Sequence, residues 1–353
     1  MDLDAFDFHL PEDRIALRPA DPQDSARMLV VHADGLLDDT VIRDLPRYLE
    51  PGDHLVFNDT RVLPAALKGI RRARDTQGRD VDVDINLIEE IGAGRWLALA
   101  RPGRRLQPGD CVGIAEGFSA KIVAKREGGE VEITFDADAD DLRGLLDAHG
   151  AMPLPPYIAR RRPADRRDSE TYQTLFASED AKSVAAPTAG LHFTDRLMSE
   201  IDEAGMIRET VRLHVGLGTF APLDEAALRY NHLHEEWRRL TPEAADRLNR
   251  ARQSGKRCVA VGTTAMRTLE SCVGSHGRLY PETGPTDIFI KPGDLIRATD
   301  ALVTNFHLPR SSLFMLVSAL MGTEIMQAAY AHAIAEDYRF YSYGDACLLL
   351  PSR

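Results

Sequence analysis

Gly52-Asp53-His54-Leu55-Val56-Phe57-Asn58-Asp59-Thr60-Arg61 is the stretch whose reading decides the fold. Leu55, Val56 and Phe57 form a short apolar run, so Gly52 to Phe57 reads as a buried strand. The polar cluster Asn58 to Arg61 follows at its carboxyl end. Similar units recur far downstream. Cys258–Val261 and Ala301–Thr304 read as strands, and Thr264–Ser271 as a helix. The helix after Ser311 carries Leu313, Leu316, Val317, Leu320 and Met321 on one stripe, the spacing of a core-facing face. Ser311 is its N-cap and Gly322 its stop. Between the first strand and these counterparts, from about Ala65 to Ala148, the texture changes. Val81, Val83, Ile85 and Leu87 alternate with polar residues, as do Val131, Ile133 and Phe135, and Trp96–Leu99 and Lys121–Val123 lie between them. Short strands punctuated by glycines predict a small all-β barrel or sandwich. The whole is therefore an α/β domain, residues 1–64 together with 151–353, interrupted by a β-rich insertion at 65–150. Asp136 to Asp141 marks an exposed exit from the insertion. Pro153-Leu154-Pro155-Pro156-Tyr157 reads as a stiff extended connector in which consecutive prolines bar a helix.

A chain of 353 residues is long enough for two domains with a buried core. No apolar run approaches the roughly 20 residues of a membrane span. The start, Met1-Asp2-Leu3-Asp4, has neither the basic flank nor the apolar stretch of a signal peptide. Cys111, Cys258, Cys272 and Cys347 are scattered, as befits reduced cytoplasmic thiols rather than a disulfide framework or a zinc site. The net charge of −12 argues against bulk attraction to nucleic acid. The arginines are nonetheless grouped, as Arg71, Arg72 and Arg74; Arg101, Arg104 and Arg105; and Arg160, Arg161, Arg162, Arg166 and Arg167. Solvated surface explains any one group, but three leave room for a local phosphate-binding track.

Several segments carry candidate chemistry. Val184-Ala185-Ala186-Pro187-Thr188-Ala189-Gly190-Leu191-His192-Phe193 is built of small residues and ends near a histidine that titrates around neutrality. Glu209–Val215 reads as a strand running into Gly216-Leu217-Gly218-Thr219-Phe220-Ala221, which matches G-x-G-x-x-A. Pro222 and the bulk of Phe220 make that a tight turn at a ligand rim rather than a nicotinamide-nucleotide site. Gly262-Thr263-Thr264 joins a strand to a helix, where free N–H groups favour a carboxylate or phosphate, although threonine capping alone would also account for it. Asn305-Phe306-His307-Leu308-Pro309 follows a buried strand, where α/β sheets place ligands; a satisfied buried His307 is the competing reading. Tyr338 to Asp345 sets three tyrosines beside Arg339 and Asp345, either for base stacking or as core around one buried Arg–Asp pair. His232, His234, Glu235 and Glu236 resemble metal ligands, but Arg238 stands where H-E-x-x-H needs its second histidine, and no metal is expected.

Together these segments resemble the S-adenosylmethionine:tRNA ribosyltransferase-isomerase family of queuosine biosynthesis. The likeness runs from Phe8 to Cys347. Its anchors are Leu10–Ala16, Val56–Val62, Met152–Ile158, Tyr172-Gln173, Ala185–Phe193, Leu213–Phe220, Val261–Thr264, Thr304–Pro309 and Tyr343-Gly344-Asp345. Departures are Ala66, Lys182-Ser183, Asn231 and Leu233. The resemblance implies an α/β domain with an inserted β-barrel. It implies transfer of the ribosyl part of S-adenosylmethionine onto 7-aminomethyl-7-deazaguanine at the wobble position of a tRNA with a GUN anticodon. The product is epoxyqueuosine, with adenine and methionine released. The sulfonium donor is consumed and no cofactor is implied. We expect a cytoplasmic monomer.

Such a reaction needs a base near the acidified ribose 5′ carbon, an oriented nucleophile, exclusion of water and a donor for the departing adenine. His192, His214 and His307 are the acid–base candidates, with Asp345 or Asp59 as orienting or base-contacting carboxylates. Thr263 and Thr264 are placed to hold the methionine carboxylate. Arg14, Arg61 and Arg267 are candidates for phosphate or carboxylate contacts. Asn58, Pro187, Thr188, Gly190, Gly216, Gly218, Thr219, Asn305 and Tyr343 complete the expected binding set through motif membership. Two other classes compete: a non-catalytic RNA-binding protein using the barrel as its platform, and a metal-dependent hydrolase using His232, His234 and Glu235.

Overall fold

The computed structural model describes residues 3–92, 94–126, 129–137, 139–179, 183–216 and 232–352. The chain divides into two compact units, one of Met1–Thr60, Gln173–Ala181 and Pro187–Arg353, the other of Arg61–Tyr172 and Lys182–Ala186.

The first unit opens with strands β1 (Arg27–His32), β2 (Leu37–Val41) and β3 (His54–Asn58). The second unit contributes β4 (Ala66–Arg71), β5 (Val81–Gly92), β6 (Arg95–Arg101), β7 (Cys111–Ala115), β8 (Phe118–Lys125) and β9 (Glu130–Phe135), then helices α1 (Ala139–His149), α2 (Pro156–Ala159) and α3 (Arg166–Thr171). The first unit resumes with α4 (Asp195–Glu203), β10 (Ile207–Leu213), β11 (Glu236–Leu240), α5 (Pro242–Gln253), β12 (Cys258–Val261) and α6 (Thr263–Ser271). It ends with β13 (Glu282–Thr286), β14 (Ala301–Asn305), α7 (Ser312–Met321), α8 (Thr323–Ala335) and β15 (Ala346–Leu350).

The second unit is a closed barrel in the order β4-β5-β6-β9-β8-β7, sealed where β4 pairs with β7 at Ile70–Gly113 and Arg71–Val112. Val81, Val83, Ile85 and Leu87 point inward in strict alternation along β5, as the period-2 pattern requires. Closure removes the exposed edges that so many short strands would otherwise present. The unit extends past the expected boundary at residue 150, to Tyr172. Ala66 and Ala151 exchange backbone hydrogen bonds of 3.1 and 2.8 Å, stitching the chain after α1 back onto β4. Beyond it, Asp165 caps α3, and Arg162 closes a two-point pair on buried Asp168, 2.7 Å at each point. The proline run is not wholly extended, since α2 begins at Pro156. A proline at the first helical position loses no hydrogen bond, because that N–H has no partner in any helix.

In the first unit a nine-stranded sheet has the order β13-β11-β10-β3-β12-β14-β15-β1-β2. β10, β3, β12 and β14 are mutually parallel, and β15 runs antiparallel to β14. One face is covered by α4, the turns at Ile42–Tyr48 and Thr188–His192, and a core that includes Met28, Val30, Leu55, Phe57, Phe193, Leu197, Val259, Val261 and Val303. Central strands buried on both faces read as continuous apolar runs, which is why β12 and β14 stand out in the sequence. Ser311 accepts from the Phe314 N–H as the N-cap of α7. The helix stops at Gly322, whose φ of 96° lies where a side chain is strained, and the chain turns 116° into α8. Among the described residues no single helix is long and apolar enough to cross a membrane.

Candidate active site

The register aligns the carboxyl ends of the four parallel strands. Val211 pairs with Asn58, Phe57 with Val261, and Val261 with Val303. The residues that leave the strands at this edge are His214, Asp59 and Thr60, Gly262 to Thr264, and Phe306 and His307. Asn305 pairs with Ala346, so antiparallel β15 begins here and brings Asp345 to the same edge. Open α/β sheets place ligands at this edge.

The Thr188–His192 turn is held against the edge by Asn305. The Thr188 hydroxyl donates to Asn305 Oδ1 at 3.0 Å, and Asn305 Nδ2 lies 3.2 Å from His192 Nε2. Burial lowers the His192 pKa to about 4. The nearby Asp345 carboxylate opposes that shift and Arg339 adds to it, so desolvation outweighs the one favourable charge. Gly190 is small for a packing reason rather than for ligand approach: a Cβ there would sit 3.0 Å from Thr174 Cγ2. Pro187 precedes the turn and is buried.

His307 occupies the other layer. Side chains alternate along a strand, so Thr304 and Asn305 point to opposite faces. His307 Nε2 lies 3.1 Å from Thr304 Oγ1, and its backbone N–H donates to the Tyr330 hydroxyl at 2.9 Å. Burial takes its pKa down to about 3. His307 is thus a buried histidine held by Thr304 beside Tyr330, and it does not share the face of His192.

At the other flank, His214 Nδ1 lies 3.1 Å from Thr60 Oγ1, and the ring stacks on Trp237 with centroids 4.9 Å apart. His214 is half-buried. Asn58 is consumed structurally: its Oδ1 accepts from the N–H groups of Thr60 and Leu213, and its Nδ2 donates to the Leu213 carbonyl. Asp59 pairs at two points with Arg212, at 2.7 and 2.8 Å.

Between the flanks lies the start of α6. Gly262 caps it at φ 90°, and a Cβ there would meet Ala189 Cβ at 3.6 Å, which places the helix start beside the Thr188–His192 turn. The first N–H groups of a helix have no partner within it. Thr263 and Thr264 are buried, and the Thr264 hydroxyl has no partner among the described residues. One turn on, Arg267 is buried in an ion pair with Glu236, whose other oxygen accepts from the Gly216 N–H at 3.2 Å. Arg267 therefore already has its carboxylate.

Asp345 is likewise occupied. It accepts from the Arg339 guanidinium at 2.7 and 3.2 Å and from the N–H groups of Arg339 and Arg27. The Arg–Asp pair is thus present with only its carboxylate buried, since the Arg339 side chain is partly exposed, and Tyr343 is buried. Arg14 forms an ion pair with Asp337. Arg61 lies in the second unit, where its carbonyl accepts from the Ser183 N–H. Gly218 and Thr219 fall outside the described residues, as does Asn231. His232, His234 and Glu235 are exposed, and among the described residues no three metal-ligating side chains converge. Thr60, Trp237 and Arg212, which build the His214 flank, were missed because only the sheet brings them together.

These features define an α/β protein with an inserted β-barrel and a set of polar side chains gathered at the carboxyl edge of its parallel strands. A family model described as queuosine biosynthesis protein matches residues 3–349, and the chain belongs to that family. It is 71% identical over 351 residues to a protein of Hyphomonas neptunium named S-adenosylmethionine:tRNA ribosyltransferase-isomerase, covering 99% of this chain and 100% of that one. A Maricaulis maris protein of the same name is 53% identical, with 98% of each chain covered. The crystal structure of an S-adenosylmethionine tRNA ribosyltransferase from Thermotoga maritima is similar at 33% identity and a TM-score of 0.55, covering 98% of this chain and 100% of that one.

Proposed function

We propose that this protein is a transferase that moves the ribosyl part of S-adenosylmethionine onto 7-aminomethyl-7-deazaguanine at the wobble position of a GUN-anticodon tRNA. The product is epoxyqueuosine, and adenine and methionine leave. The donor is consumed, and no metal or redox group enters the scheme. Full-length likeness to relatives carrying that enzyme name supports this reading. The observation that supports it is the strand edge, where Asn305 holds His192, Thr60 holds His214 and α6 starts.

This edge suits a zwitterionic sulfonium nucleoside. From β10 to β14 the edge spans three strand spacings, roughly 14 Å, enough for an extended nucleoside joined to an amino acid. The start of α6, whose first N–H groups have no partner within the helix, favours the methionine carboxylate, as does the Thr264 hydroxyl, which has no partner among the described residues. His192 and His214 flank that point as the acid–base pair. The barrel unit offers exposed Arg160, Arg161, Arg166 and Arg167 to RNA phosphates.

Chromatography of products from purified protein, S-adenosylmethionine and precursor-bearing tRNA tests the reading. Adenine and methionine are expected in equal amounts, and only when that tRNA is present. Alanine at His192 or His214 is expected to lower kcat by about 100-fold or more. If single alanine variants at His192 and His214 both keep full turnover, the acid–base scheme fails. If the wild type releases no adenine, the activity itself fails, and RNA binding alone remains for the barrel.

A further inference from the structure

We propose that Asn305 is a positioning residue which, held by Thr188, locks His192 as its Nδ1–H tautomer and turns that histidine into a hydrogen-bond donor toward the ligand. The role of the ligand rests on the function proposed above; the tautomer does not.

Asn305 is the last residue of β14, fixed by its pairing with Ala346, and its side chain is buried. It touches both ends of one short turn. The Thr188 hydroxyl donates to Oδ1 at 3.0 Å, which leaves the amide nitrogen facing His192 Nε2 at 3.2 Å. An amide N–H only donates, so Nε2 must supply a lone pair. A neutral imidazole carries one proton, and here it sits on Nδ1. No partner among the described residues takes that N–H.

Charging the ring would put a proton on Nε2 and set two donors face to face. Asn305 therefore opposes the imidazolium in the same sense as burial. The charged groups that act on the ring are Asp345, which favours the cation, and Arg339, which disfavours it; Arg339 is itself paired with Asp345. With Nε2 engaged and Nδ1 protonated, His192 cannot act as the base that removes a carbon-bound proton. It can meet a substrate lone pair, such as a ring nitrogen of adenine that gains electron density as the base departs. General-base work is then left to His214.

Long-range 1H–15N correlation of the full-length protein labelled with 15N-histidine reads the tautomer directly, with His192→Ala assigning the peaks. The expected result is a protonated-type shift for Nδ1 and an unprotonated-type shift for Nε2 at neutral pH. The reverse pattern overturns the proposal. Asn305→Asp places an acceptor against Nε2 and is expected to swap the two shifts. It should lower kcat for adenine release by about 100-fold while KM for S-adenosylmethionine changes only a few-fold. Thr188→Val is expected to mix the tautomers, and Thr188→Ser to restore the wild-type pattern. A swapped tautomer with unchanged kcat refutes the role in turnover. A wild type that shows the expected tautomer but releases no adenine leaves the positioning intact and refutes the activity instead.

Discussion

Asp59 and Arg212 meet at two points, Oδ1 to Nε at 2.7 Å and Oδ2 to Nη2 at 2.8 Å, and tie the exit of β3 to the end of β10. The same two strand ends carry Thr60 and His214, so the pair sets the His214 flank of the edge. Both side chains are largely buried. Asp59→Asn removes the charge from this two-point pair and should cost about 1–3 kcal/mol in urea unfolding. The double variant with Arg212→Gln should recover part of that loss. Additive losses would mean the pair has no coupling and Asp59 is free for another partner.

His192 and His307 should make the protein acid-sensitive well above the carboxylate range. Both are buried neutral, with pKa values of about 4 and about 3 against about 6.5 when unfolded. The unfolded chain binds the extra protons, so stability is full above about pH 7 and falls as pH drops through 6.5 toward the folded values. At pH 5 each histidine should have cost about 2 kcal/mol. Asp24, Asp53 and Glu209, whose pKa values are lowered, lose their contribution only below about pH 4. Unfolding free energies at pH 7.5 and 5, for wild type and His307→Gln, check this. Equal slopes in the two proteins would contradict it.

Two glycines are held by packing and should differ in rescue. Gly190→Ala puts a Cβ 3.0 Å from Thr174 Cγ2, at a cost of about 1–2 kcal/mol, and Thr174→Ser removes that methyl and should restore stability. Gly344→Ala meets the Arg339 carbonyl oxygen and the Phe340 carbonyl carbon at 2.5 Å, both backbone atoms. No side-chain change can relieve it. Thermal unfolding should show a loss of more than about 3 kcal/mol for Gly344→Ala that no neighbouring substitution repairs.

Much of the architecture was legible because it is local. The alternation in β5, the apolar runs of β12 and β14, and the Ser311 cap and Gly322 stop of α7 each lie within a few residues. The site was legible only as a set of segments. Asn58, Asp59, Asp345 and Arg267 looked like ligand contacts, yet their partners are Leu213, Arg212, Arg339 and Glu236. Three of these four pairings join residues far apart in the chain, and no periodicity encodes such contacts. A motif marks a residue as part of the edge; it does not say whether the side chain faces a ligand or braces a strand. His307 shows the same limit, since only the alternation of Thr304 and Asn305 in three dimensions separates it from His192.

RNA affinity should depend steeply on salt despite the overall negative charge. Arg160, Arg166 and Arg167 are exposed, whereas Arg162 is spent on Asp168. Three or four phosphate contacts predict a slope of log K against log salt of about −2 to −4. Replacing Arg166 or Arg167 by Gln should flatten it by about 1 each. An anticodon stem-loop that binds equally well at low and high salt would exclude this track.

The most direct measurement is a crystal structure of the full-length protein with S-adenosylmethionine bound. The donor should lie along the carboxyl edge of β10, β3, β12 and β14, its carboxylate at the start of α6 and its adenine within hydrogen-bonding reach of His192 Nδ1. Donor density on the barrel, or on the far face beside Tyr330 with the Asn305–His192 corner untouched, would contradict the account.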